Sequence, residues 1–197
     1  MAQSDVEPAS HGSTDERGWG PLSRLPGNPL MWVLIASELA VFGAALLGYA
    51  GARLRDPAGF LAAQNHLDRL AGVVNTAVLI TSGFFAALAV EARREGARAS
   101  ARRRLALAVV LGAVFLGVKL MEYSAEMRAG FDIDSGGFFT LYFLITGFHA
   151  LHVVLGMAIL ALVAFYDSLV NYETGAAFWH MVDLIWIVVF PCIYLLR

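Results

Sequence analysis

The sequence has few cysteines, few lysines and few charged side chains of any kind. Its one cysteine, Cys192, excludes an internal disulfide, and no cysteine pair is available for metal chelation. Only 15% of the 197 residues are charged, whereas 58% are hydrophobic and the mean hydropathy is +0.65. These values exclude an ordinary soluble domain. They are typical of a polytopic helical membrane protein.

The first 27 residues lack the features of a targeting signal. Residues 1–27 have no apolar core behind a basic start, so they are not a secretory signal. Their four acidic residues are atypical of a mitochondrial transit peptide. The segment is rich in Gly, Ser and Pro, which predicts a disordered polar tail. We therefore expect the first hydrophobic segment to direct membrane insertion.

Long apolar runs dominate the remaining residues, 28–197. The predicted membrane spans are residues 29–51, 70–90, 105–123, 138–166 and 176–197. At about 1.5 Å per residue, runs of this length match a hydrocarbon core about 30 Å thick. The first span opens on Asn28-Pro29, which is typical of a helix start. The predicted fold is an all-α, polytopic membrane protein with five transmembrane helices.

An arginine-rich segment between the second and third spans sets the expected orientation. The arginines of this segment are Arg93, Arg94, Arg98, Arg102, Arg103 and Arg104. Short loops this basic stay in the cytoplasm, so we expect a cytoplasmic N-terminus and a periplasmic C-terminus. The same side chains are candidates for contact with anionic lipid headgroups. A nucleic-acid partner is not expected.

Ionisable side chains within the spans are the candidate functional residues. Such groups are costly in hydrocarbon and normally pair with each other, face protein or line a polar pathway. From the inner boundary, Glu38 is expected about 13 Å deep, His149 about 14 Å and His152 about 9 Å. Asp183 is expected at about 10 Å and His180 at about 6 Å. We therefore expect two acids and three imidazoles to meet in one slab of the inner half.

Other polar side chains have simpler explanations. Lys119 and Glu122 share a helix face near the end of the third span, which predicts an intrahelical ion pair whose cost is reduced by snorkelling to the outer interface. The second span carries uncharged polar residues that we expect to bond to a neighbouring helix or to their own backbone. These residues are Asn75, Thr76, Thr81 and Ser82.

Three interpretations of the inner polar slab stay open from the residues alone. It is a structural network that fixes helix packing, a set of groups that gates or buffers protons, or a metal site. His149 and His152 with nearby carboxylates are chemically sufficient for iron or zinc, which would make the chain a self-contained membrane metalloenzyme. The Glu-x-x-His pairs of di-iron bundles are absent. A proton-coupled carrier is disfavoured because no inverted repeat is evident.

Several motifs together resemble a known family. They are Thr146-Gly-Phe-His-Ala-Leu-His-Val-Val-Leu-Gly156, Phe178-Trp-His-Met-Val-Asp-Leu-Ile-Trp186, Ser37-Glu38, Asn75-Thr76, Glu122-Tyr123 and the acidic, Gly-rich segment that follows. In this order and spacing they resemble subunit III of the haem-copper oxidases over about residues 29–197. The five-span form is similar to the short bacterial subunits, which lack the two extra N-terminal helices of the seven-span type.

The resemblance implies a non-catalytic subunit of a respiratory complex in the bacterial plasma membrane. Haem and copper would belong to a partner catalytic subunit, so no metal or catalytic residue is expected in this chain, although a structural phospholipid is compatible with it. Glu38 corresponds to the buried, carbodiimide-reactive glutamate of the family. The ending Phe190–Arg197 and Lys119 resemble the branch that accompanies bacterial nitric oxide reductases, whose subunits are therefore alternative partners.

Overall fold

The structure, a computed structural model, describes residues 29–196 and is helical throughout this range, with no strand. The helices are α1 (Pro29–Arg55), α2 (Pro57–Gln64), α3 (Arg69–Arg94), α4 (Arg98–Arg128), α5 (Gly137–Phe165) and α6 (Leu169–Phe190), and a π-helical turn (Pro191–Leu195) follows α6. In this part of the chain α1, α3, α4, α5 and α6 are long and apolar enough to cross a membrane. The predicted all-α fold with five spans is confirmed. The predicted tail and the Asn28 cap lie outside the described residues.

The helices extend beyond the predicted spans, and α2 was not predicted. Asp56 caps α2 by accepting a hydrogen bond from the Gly59 amide (3.0 Å), with Pro57 in the first turn. The expected arginine loop is mostly helical, and only residues 95–97 separate α3 from α4. Gly96 has a φ of +78°, which a residue with a side chain rarely adopts, so the reversal is confined to this point.

The last span begins seven residues earlier than predicted. Ser168 caps α6 by accepting a hydrogen bond from the Asn171 amide (3.2 Å). The depths expected for His180 and Asp183 were counted from Ala176, and they stay predictions. His180 is eleven residues beyond Leu169, about 16 Å along the helix axis. The His180–Asp183 segment lies near the middle of the helix.

Helices α3 to α6 form a bundle, and α1 packs outside it against α5 and α6. Small side chains let α3 and α4 approach closely, as in many membrane helix pairs; the fully buried ones are Ala86, Ala89, Ala101 and Ala108. Trp179 of α6 lies in the core against two glycines, Gly112 of α4 and Gly156 of α5. A Cβ at Gly156 would lie 2.6 Å from the Trp179 ring, so glycine is required for this packing.

Polar contacts join neighbouring helix ends at both ends of the bundle. Arg93 at the end of α3 binds Asp167 (2.6 Å) before α6, and Arg94 binds Glu173 (2.9 Å) in α6. At the opposite end, Gln64 of α2 donates from Nε2 to the Ile193 carbonyl (2.6 Å) in the π-helical turn. Buried amide donors rarely lack partners, and this contact fixes the last residues of the chain against α2.

The acidic segment after α4 forms an ordered turn. The Asp132 carboxylate accepts hydrogen bonds from the Ser135 hydroxyl (2.7 Å) and the Asp134 amide (3.0 Å). These bonds, that from Ser135 above all, lower the pKa of Asp132. Because α4 continues to Arg128 and α5 begins at Gly137, the turn is limited to residues 129–136.

Candidate functional site

Glu38 of α1 meets His152 of α5 inside the membrane-spanning region. Glu38 Oε2 lies 3.1 Å from His152 Nε2. On the other side of the ring, His152 Nδ1 lies 2.8 Å from the carbonyl of Phe148, four residues earlier, which can only accept. Nδ1 therefore carries a proton and donates it to that carbonyl. In the neutral imidazole, Nε2 is then the acceptor.

The Glu38–His152 contact consequently requires one proton between its two atoms. Either a protonated Glu38 donates to a neutral imidazole, or an imidazolium donates to a carboxylate. Aromatic rings surround the imidazole, with Phe42 at 5.4 Å and Phe148 at 4.6 Å between centroids, and His152 is 8% exposed. The geometry suits a group that holds or exchanges a single proton in apolar surroundings.

His149 lies on the same helix but in a different environment. It is fully buried, it stacks on Trp186 (5.1 Å between centroids), and the Phe115 ring meets it edge-on. Neither of its ring nitrogens has a hydrogen-bond partner among residues 29–196. A spacing of three residues rotates two side chains by about 60° around the helix. This rotation directs His152 towards α1 and His149 into the core.

His180 and Asp183 form a third, separate group where α6 meets α3. His180 Nδ1 lies 3.5 Å from Asp183 Oδ2, and Asp183 packs against Gly83 of α3. The five inner polar groups therefore do not form one cluster, and their common depth in the membrane stays a prediction. The contact between Glu38 and His152 does place these two groups at one level of the bundle. The groups are separated because their side chains point in different directions around the helix axes, and the axial position of a residue does not predict that direction.

Lys119 and Glu122 form the predicted ion pair, at 3.2 Å, but not at an interface. Lys119 is 1% exposed, because α4 continues for nine residues beyond it and other helices enclose it. The snorkelling expectation is therefore wrong. The Lys119 ammonium also donates to the hydroxyls of Tyr142 (3.2 Å) and Tyr194 (2.6 Å). Both tyrosines donate in turn to Glu122, so three helical elements share one buried charge pair.

Sequence reasoning missed the tyrosines of this cluster. Tyr142 lies in α5 and Tyr194 in the π-helical turn, and both are fully buried. The sequence did contain one indication of them. A lysine and a glutamate buried together need further hydrogen-bond partners besides each other. The nitrogen of Lys119 also lies 4.8 Å from the centroid of the Tyr142 ring and 5.3 Å from that of Trp186, within cation–π range.

The uncharged polar residues of α3 bond as expected. Ser82 donates to the Ala108 carbonyl of α4 (2.7 Å) and accepts from Trp179 Nε1 of α6 (3.1 Å). Thr81 donates to the carbonyl of Ala77 within its own helix (2.7 Å). These contacts provide hydrogen-bond partners for polar groups, which the surrounding lipid and apolar core cannot provide.

The six arginines differ in their availability. Arg93 and Arg98 both bind Asp167, Arg94 binds Glu173, and Arg104 donates to the Leu88 carbonyl. Arg102 and Arg103 are exposed. The predicted contact with lipid headgroups stays a prediction, and it now falls most directly on these last two residues.

No three His, Cys, Asp or Glu side chains converge to form a metal-ligand cluster within the described range, 29–196. His149 is apart from the Glu38–His152 pair, and His180 with Asp183 faces another helix. The self-contained metalloenzyme hypothesis therefore has no assembled ligand set in this part of the chain. What the geometry does provide is a shared-proton pair, a buried charge cluster and an isolated imidazole.

Comparison with known proteins identifies the family. Residues 56–197 match the model of the family described as cytochrome c oxidase subunit III. The chain belongs to the cytochrome c oxidase subunit III family. It is accordingly a multi-pass membrane protein, and the resemblance seen in its motifs is confirmed. The matched region includes α3 to α6 and therefore His149, His152, His180 and Asp183. Glu38 lies before it.

The individual relatives that this chain resembles carry the same subunit description. Cytochrome c oxidase subunit 3 of Danio rerio is 37% identical over 130 residues, which are 62% of this chain and 49% of the relative. The protein of the same name from Prototheca wickerhamii is 35% identical over 129 residues, 61% of this chain and 48% of the relative. The chain spans about half the length of the curated relatives it matches.

Proposed function

We propose that the chain is a non-catalytic membrane subunit of a respiratory haem-copper oxidase complex. The match of residues 56–197 to the subunit III family is the observation that supports this most directly. The Glu38–His152 pair supports a part in sustained proton uptake by the complex, because it holds one exchangeable proton in apolar surroundings. In this proposal the chain aids stability and proton supply, while electron transfer occurs in the partner.

The cofactors of the complex belong, in this proposal, to the catalytic subunit. Haem and copper are bound there, and this chain carries no redox metal of its own. The separation of His149, His152 and His180 into three environments supports this assignment, because no group of three or more potential metal ligands forms within residues 29–196. Stoichiometric iron, copper or haem in the isolated, folded chain would contradict it and favour the metalloenzyme hypothesis.

The terminal acceptor of the complex is oxygen in the main proposal and nitric oxide in the alternative. The alternative rests on Lys119 and on the ending Phe190–Arg197, which resemble the branch that accompanies bacterial nitric oxide reductases. The proposed location is the bacterial plasma membrane, with the arginine-rich end of the bundle in the cytoplasm.

Co-purification tests the proposal. The chain, tagged at its C-terminus and expressed in its own host, is extracted in mild detergent and isolated with its partners. We expect a haem spectrum, copper and oxygen consumption in the purified material. Nitric oxide consumption without copper would favour the reductase alternative. A preparation with neither haem nor copper, from membranes in which the tagged chain is abundant and folded, would contradict both.

A further inference from the structure

His180 differs from the other exposed polar side chains in the membrane-spanning helices. Its side chain is 47% exposed, and it lies near the middle of α6. Ser37 and Thr81 are also exposed within spans, but each hydroxyl donates to a carbonyl of its own helix, Leu34 and Ala77 respectively. Among the described residues, Asp183 is the only other polar residue that lines the α3–α6 cavity with His180, whereas Glu91, Arg94 and Glu173 line a second cavity on its other side. A half-exposed imidazole at this depth is costly in hydrocarbon.

Asp183 determines which nitrogen of His180 is available. Its Oδ2 lies 3.5 Å from Nδ1, which favours a proton on that nitrogen and leaves Nε2 as an acceptor in the neutral ring. Asp183 is 6% exposed, and its other oxygen, Oδ1, has no hydrogen-bond partner within residues 29–196. Burial of a carboxylate with so few partners is unfavourable. The contact that Asp183 does make orients the His180 ring.

The surface around His180 has the shape of a helix-packing site. A shallow cavity of about 410 Å³ runs between α3 and α6, and two small residues, Gly83 and Ala87, are part of its lining. Small residues at such positions let another helix approach closely. Its sides are formed by large apolar side chains that are 44–59% exposed: Ile80, Phe84, Leu184 and Ile187. The cavity is therefore apolar except for the His180–Asp183 pair.

We propose that this α3–α6 face binds a transmembrane helix of a partner subunit that carries an O–H or N–H group at the level of His180. The partner donor would bond to Nε2, with Asp183 as the positioning residue behind it. This inference rests on the proposed function, because it assigns the face through which the chain joins its complex. A lipid acyl chain fits the apolar sides, but it offers no group that can bond to the imidazole.

Site-directed photo-cross-linking in the complex tests the location. A photoreactive phenylalanine analogue replaces Phe84 or Ile187, on opposite sides of the cavity, or Val110, which is 57% exposed on α4 and serves as the reference position. We expect adducts between Phe84 or Ile187 and another membrane polypeptide. Adducts to lipid alone, or to residues 1–28 of the same chain, would overturn the proposal.

Variants of His180 test the hydrogen bond. In His180→Leu we expect the yield of the Phe84 adduct, and the partner retained after washing, to fall roughly three- to tenfold, the range for one hydrogen bond between membrane helices. Thr81→Val is the matched control, since Thr81 is exposed on α3 but bonds only to its own helix. It should leave both values unchanged. His180→Gln, which retains an acceptor, should recover part of the loss.

The folded state of each variant is measured on the isolated chain by circular dichroism and gel filtration in detergent. Because His180 is half exposed, its replacement by Leu should leave both unchanged. A correctly folded His180→Leu chain with wild-type adduct yield and partner retention would overturn the proposal. If the cross-linked partner is not an oxidase or reductase subunit, the proposed function fails while the docking face stands.

Discussion

Glu38 and His152 give the chain its clearest chemical feature at the scale of single residues. Glu38→Gln keeps a group that can bond to His152 Nε2, so assembly of the complex should survive. Glu38→Ala leaves that nitrogen without its partner at a cost of about 1–3 kcal/mol and should lower the yield of assembled complex. The measurement is complex yield for wild type and both variants. An Ala variant that assembles and works as well as wild type would show that Glu38 has no role in the complex.

The Gln variant separates a structural role from a protonic one. It cannot exchange a proton, so the assembled complex should lose activity over repeated turnovers and more rapidly at raised pH. Oxygen or nitric oxide consumption followed over many turnovers provides the readout. Normal sustained activity in this variant would leave the pair with a structural role alone.

The Lys119–Glu122 pair makes the second residue-scale prediction. Lys119→Met leaves Glu122 buried and charged beside two tyrosines, so the free energy of unfolding in detergent should fall by about 3–5 kcal/mol. The double variant Lys119→Met/Glu122→Gln should recover a large part of this loss, because no unpaired charge remains. Arg103→Met, which removes an exposed cation from the same helix, is the control and should change stability by less than about 0.5 kcal/mol. A double variant as unstable as the single would contradict this account.

Residue types in a sequence allow pairs to be proposed, but not their full surroundings. Lys119 and Glu122 were paired from their spacing alone, since side chains three apart share a helix face. Tyr142 and Tyr194, which complete the cluster, are 23 and 75 residues away in the chain from Lys119, so no local pattern connects them. His149 and His152 have the same spacing, yet tertiary packing puts one in the core and the other against α1.

At the scale of helices, Gly156 lets α5 approach α6 closely where it faces Trp179. Gly156→Ala should destabilise the chain by about 1–3 kcal/mol, because its Cβ would overlap the buried ring. Gly147→Ala in the same helix is the matched control, since no atom lies within 4 Å of the position its Cβ would take. Alanine is the better helix former, so this control should be neutral or stabilising by up to about 1 kcal/mol. Thermal or denaturant unfolding in detergent measures both, and equal effects would contradict the packing argument.

Helix number was predictable from the sequence, whereas helix ends were not. Apolar runs of about 20 residues define spans because hydrocarbon has a fixed thickness. Helices can continue into water where charged residues are good helix formers, as the arginines of α3 and α4 are. The short helix α2 escaped notice because its eight residues are too few to span and carry no periodic pattern. Its Asp56-Pro57 start was a usable signal.

At the scale of the whole molecule, the arginines predict the orientation in the membrane. Arg93–Arg104 lie at one end of the bundle, and the last residues of the chain lie at the other. A reporter inserted near Gly96 should therefore be cytoplasmic, and one fused after residue 197 should be periplasmic. Alkaline phosphatase and green fluorescent protein fusions distinguish the two compartments. The opposite pattern would reverse the orientation and place Lys119 in the half nearer the cytoplasm.

The central claim is that the chain supports catalysis without performing it. Sustained oxygen consumption by complexes purified with and without this chain tests that claim most directly. We expect the complex without the chain to begin turnover at a substantial fraction of the normal rate and then to lose activity progressively, and the added chain to prevent this loss. A complex that consumes no oxygen from the first turnover, although its catalytic subunit is assembled and its haem and copper are in place, would contradict the claim. A complex whose activity is the same with and without the chain would contradict it equally.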